Sequence, residues 1–64
     1  MINCSIYING NYETNVNFES VPRIGEQLNI LSYYDYNGHY IINNVVNAIS
    51  RDGTHIIGIH CTRI

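Results

Sequence analysis

Lysine is absent from this chain and proline occurs once. Charged residues make up 12% of the sequence, about half the roughly 25% of an ordinary soluble domain. Arg23, Arg51 and Arg63 as the only arginines and a net charge of −2 argue against a broad electrostatic footprint for nucleic-acid backbone, because non-specific affinity grows with the number of phosphates neutralised, and leave room only for a local site. Two cysteines, Cys4 and Cys61, are too few for a disulfide scaffold and lack metal-ligand spacing. In a reducing compartment they are expected as free thiols. No stretch approaches the roughly 20 apolar residues of a membrane span, and the first residues lack the basic and apolar regions of a signal peptide. A membrane partner is therefore not expected, and the cytoplasm is the expected location.

What replaces charge is asparagine, at positions 3, 9, 11, 15, 17, 29, 37, 43, 44 and 47. This is a neutral polar skin over an interior rich in Ile and Tyr. Sixty-four residues make one domain, 1–64, and a domain of that size buries only about 60% of the surface its unfolded chain exposes. Its stability margin is thin, and small scaffolds usually compensate with disulfides, a metal or oligomerisation. Few like charges hold copies apart, so a homo-oligomer is expected.

The chain divides at Val21-Pro22-Arg23-Ile24-Gly25-Glu26. Pro22 fixes its own φ and biases Val21 toward extended backbone, so no helix runs through this point. Gly25 offers a position where φ can turn positive without steric penalty. Before the corner, Ile2, Cys4, Ile6 and Ile8 alternate with polar residues, as in a half-buried strand. Asn9-Gly10 then marks a type I′ hairpin turn. The return strand, 11–18, is expected to put Tyr12, Thr14, Val16 and Phe18 on one face. After the corner, 27–31 reads as a third strand with Leu28 and Ile30 inward. Tyr33, Tyr34 and Tyr36 follow, as loop or continued strand, and Asn37-Gly38 is a second Asn-Gly turn signal. The fourth strand, 40–49, changes phase across Asn43-Asn44, the mark of a β-bulge. Arg51-Asp52-Gly53-Thr54 is a third hairpin turn. The last strand, 55–64, is apolar at both parities near Ile56, Ile57 and Ile59, which predicts partial cover on both faces.

Five short strands joined by three hairpin turns, with no helical period, predict an all-β domain: a small five-stranded antiparallel barrel or strongly bent sheet, Src-homology-like or Sm-like, with an oligonucleotide-binding barrel next. If the barrel closes in that way, the first and last strands lie side by side and Cys4 approaches Cys61. The order Pro22-Arg23-Ile24-Gly25-Glu26, then Leu28 and Ile30, then Tyr40-x-Ile42-x-x-Val45, resembles a pattern in many short phage and bacterial proteins. That pattern runs Pro-Arg-x-Gly-Glu/Asp, a strand, then Tyr-x-Val-x-x-Val. The resemblance covers roughly residues 21 to 49. It implies a small β-barrel and a phage or mobile-element source, and no single activity travels with it.

The leading candidate site joins Tyr33, Tyr34 and Tyr36 to Arg23, with Arg51 and His39 as further partners. Tyrosine faces stack on bases and other planar ligands, and a guanidinium can hold a phosphate in bidentate fashion. The same rings equally suit a barrel flank or a subunit interface, being apolar on their faces and polar at the tip. His60 and Cys61 are adjacent in a strand and point to opposite faces, so a zinc site is not expected, nor is a cofactor. No carboxylate is placed to orient a histidine beside a nucleophile, so catalysis is not expected either. Glu26 reads as a cap on the corner. These residues predict a non-enzymatic binding protein that acts by occupancy, either blocking a host defence protein or sequestering a nucleotide-like signal. Single-strand nucleic-acid binding and a structural role in a larger assembly are the alternatives.

Overall fold

A computed structural model describes residues 1–30 and 38–64. The described chain holds β1 (Ile2–Ile8), β2 (Asn11–Phe18), β3 (Gln27–Asn29), β4 (His39–Ile49) and β5 (His55–Arg63). They form one sheet in the order β2-β1-β5-β4-β3, curled into a half-barrel with no helix among the described residues. The expected all-β, strongly bent sheet is what forms. At Asn9-Gly10 both φ angles are positive, 51° and 83°, as the type I′ turn requires.

The first and last strands do lie side by side, but they run parallel, whereas the other three pairings are antiparallel. The reason is parity. Each of the four connections reverses the chain, so β1 and β5 point the same way. This overturns the expected approach of the two cysteines. Cys4 stands opposite Ile57, and Cys61 opposite Ile8. The thiols are therefore four positions apart along the strands, roughly 13 Å at the usual rise. Both are buried and free, and burial pushes both thiols above their ordinary pKa.

The core lies on the concave face. Ile6, Ile59 and Val45 stand in register across β1, β5 and β4, and Cys4, Ile42, Ile57 and Cys61 complete the buried cluster. Ile2, Ile8, Val16, Phe18, Leu28 and Ile30 pack around it, all in the expected inward phase. Asn43 is the extra residue of a bulge, since Ile42 faces Cys61 and Asn44 faces His60. A second bulge was not legible. Ile6 faces Thr14 while Tyr7 faces Tyr12, so Glu13 is extra and Tyr12 leaves the expected face to join Tyr7 on the convex side. On β5, Ile57 and Ile59 are buried while Ile56 is exposed, so two-sided cover does not extend to Ile56.

Two local devices hold the connections. Glu26 caps the corner, its Oε1 accepting the Arg23 N–H at 3.1 Å, while Gly25 N–H donates to the Ile42 carbonyl at 2.8 Å. In the turn after β4, the Asp52 carboxylate accepts the Ser50 hydroxyl proton and the Thr54 N–H at 3.0 Å. These bonds hold the Asp52 carboxyl down to about 2, from 3.8. A depressed carboxyl contributes stability above its unfolded value and loses it as pH falls through the folded one. Acid unfolding should therefore steepen between about pH 4 and 2, and Asp52→Asn should flatten that limb. Equal slopes for both proteins in acid titrations followed by circular dichroism would refute the assignment.

Candidate functional site

Half-barrel geometry leaves β2 and β3 as the outermost strands of the sheet. Between them lies a cavity of about 250 Å³ lined by Ile6, Val16, Phe18, Leu28, Asn29 and Ile30. Side chains from both ends of the sheet thus face one space across an open seam. Its size decides what fits. An apolar cavity of about 150 Å³ takes a benzene ring, while sites for whole small molecules run from about 300 to 1,000 Å³. This one suits one or two apolar side chains, and no charged residue lines it among the described residues.

The candidate residues read from the sequence do not converge on that cavity. Arg23 is exposed at the corner, with Nε 3.4 Å from Glu26 Oε1. His39 begins β4 and its Nδ1 lies 2.6 Å from Oδ1 of Asn29, its partner across the strands. Arg51 is exposed in the turn beyond the other end of β4. His39 and Arg51 are therefore separated by the whole length of that strand, roughly 33 Å at the usual rise, within a molecule whose longest extent is 37 Å. Tyr33, Tyr34 and Tyr36 lie outside the described residues. No group of three His, Cys, Asp or Glu side chains that could hold a metal ion occurs among the described residues.

The convex face carries an aromatic row that sequence reading missed. Tyr7 stacks on His60 with ring centres 4.7 Å apart and planes within 8°, and it meets the edge of Tyr12 at 5.7 Å. Register explains it, because Tyr7 is opposite both Tyr12 and His60. The signal was the outward parity of Tyr7 and His60, readable only once β1 and β5 are known to be parallel neighbours. Beside this row the asparagines bond to one another. Asn15 Nδ2 donates to Asn3 Oδ1 at 2.6 Å, and Asn3 Nδ2 donates to Asn17 Oδ1 at 2.9 Å. The neutral skin thus satisfies its own polar groups laterally.

No protein-family model matches the chain, and no curated protein or solved structure is significantly similar to it. No helix among the described residues is long and apolar enough to cross a membrane.

Proposed function

We propose that this protein is a non-enzymatic binding module that acts by occupancy, taking an extended, apolar segment of a partner protein into the seam between β2 and β3. The observation that carries the reading is the apolar cavity that these two outermost strands share. A strand entering the seam would meet unpaired backbone groups on the sheet edges. It would also drop alternate side chains toward the cavity, as the period of a strand demands. A host defence protein is the partner class consistent with the phage-like order of motifs. Tyr33, Tyr34 and Tyr36 follow the groove residue Ile30 in the chain and are proposed as aromatic anchors for that partner. A homo-oligomer is proposed as the working form, because a surface so poor in charge repels its copies little.

Sequestration of a nucleotide is the weaker reading. Arg23 is already beside Glu26 and Arg51 stands at the far end of β4, so the two cations do not meet on one phosphate within a protomer. Fluorescence anisotropy with labelled peptides carrying apolar residues at alternate positions tests the choice. Saturable binding is expected, with Leu28→Asn weakening it at least tenfold while the protein stays folded. If no peptide binds and a di- or cyclic nucleotide raises the melting temperature by mass action, sequestration replaces the groove reading.

A further inference from the structure

Among the described residues, no strand pairs with the outer edge of β4 beyond the corner. Ile42 is covered there, its N–H donating to the Glu26 carbonyl at 2.9 Å and its carbonyl accepting from Gly25, and β3 pairs only with residues 39–41. From Asn44 to Ile49 no described strand lies on that side. Parity shows which groups are exposed. Ser50 N–H donates to the Thr54 carbonyl at 2.9 Å, so its backbone points toward β5. With Ile49 opposite His55 and the register unbroken back to Asn44, Ala48, Val46 and Asn44 point toward β5 too. Val45, Asn47 and Ile49 therefore turn their N–H and C=O groups to the free edge.

Native edge strands are usually guarded by a charge, a proline, a bulge or shortness. The β2 edge has Glu13 in a bulge and Glu19 just beyond it. The β3 edge is three residues long. Within the Asn44–Ile49 edge, Asn-Val-Val-Asn-Ala-Ile, there is no charge and no proline, and the register runs unbroken past the bulge at Asn43. This edge is also left wet where it is apolar, with Ile49 69% and Val46 39% exposed.

We propose that this edge pairs with the same edge of a second copy, antiparallel about a two-fold axis through Asn47, so that two half-barrels share one continuous sheet. The inference deepens the homo-oligomer reading and rests on it, not on the groove. In this register Val45 exchanges backbone hydrogen bonds with the partner's Ile49, Asn47 with its own copy, and Ile49 with the partner's Val45. Every outward group finds a partner of the right kind. The side chains agree on both faces: Val45 meets Ile49 and Asn47 meets Asn47 on one, and Val46 meets Ala48 on the other. No charged residue lies within the paired segment, Asn44 to Ile49. The pairing stops where the corner occupies Ile42, which brings the partner's turn, with Arg51 and Asp52, alongside Arg23 and Glu26. Arg51 thereby comes to the same interface as the partner's Arg23, which lies beside Glu26.

Sedimentation equilibrium of the full chain tests this. The wild type is expected at twice 7.3 kDa at micromolar concentration. Asn47→Lys places two ammonium groups across the axis and should weaken the dimer at least a hundredfold while circular dichroism stays native. Asn47→Glu should do likewise, and mixing the two variants should restore a dimer, because opposite charges then meet at the axis. Leu28→Asn should leave the dimer intact, which separates this result from failure of the groove. A wild type that stays monomeric to millimolar concentration, or an Asn47→Lys protein that dimerises as tightly as the wild type, overturns the proposal.

Discussion

Ile59→Ala should leave most of the protein unfolded at room temperature. Ile59 is fully buried on the central strand, with Ile6 on one side and Val45 on the other. Truncating a buried isoleucine to alanine costs about 2–5 kcal/mol, the loss of transfer energy plus the cavity left behind. Domains of this size rarely hold more than about 3–5 kcal/mol in total. The two quantities are comparable, so the equilibrium shifts rather than merely softens. Ile59→Val removes one methylene and should cost only about 1 kcal/mol, leaving a folded protein with a lower urea midpoint. If Ile59→Ala melts within a few degrees of the wild type, the core does not centre on the Ile6-Ile59-Val45 row.

Gly38→Ala should detach β3 without unfolding the rest. A Cβ built on Gly38 would lie 2.3 Å from the Ile30 carbonyl oxygen and 3.1 Å from the Tyr40 ring. The first is a backbone atom that cannot swing aside, and the Ile30 N–H is itself tied to the Gly38 carbonyl at 2.8 Å. Forcing extra volume into a packed site costs about 1–3 kcal/mol. Only a three-residue strand holds this part of the sheet, and such elements sit at the low end of local stability. Amide exchange at Leu28 and Ile30 should rise by tenfold or more, while β1 and β5 amides keep their protection. Because Leu28 and Ile30 line the seam, peptide binding should fall with it. Unchanged exchange at these amides would show that the Gly38-Ile30 approach does not hold the hairpin.

Much of this architecture is visible in the residues themselves, for identifiable reasons. The Asn9-Gly10 turn could be read because few other pairs tolerate positive φ twice in succession. The bulge at Asn43 could be read because a strand with one buried face must shift phase when its apolar residues do. The bulge at Glu13 could not, because Tyr12 is apolar in its ring and polar at its tip and is at home on either face. Arg51 stands away from His39 for a related reason. Proximity in a list of useful side chains carries no information about which end of an eleven-residue strand each will occupy.

Alternation, turn chemistry and the single proline determine, with no tertiary information, that this chain makes five strands, that it reverses at Asn9-Gly10 and after Ile49, and most of which side chains go inward, Tyr12 and Ile56 being the exceptions. These are properties of neighbours in the chain, set by backbone sterics and by the two-residue period of a strand. The register in which distant strands pair, and the parallel sense of β1 against β5, were decided only in three dimensions. The parallel register of β1 and β5 separates Cys4 from Cys61 and stacks Tyr7 on His60, and the curl of the sheet leaves the seam between β2 and β3 open. Pairing between distant strands depends on the collective burial of Ile6, Ile42, Ile59 and their surroundings, a quantity that no local window of sequence contains.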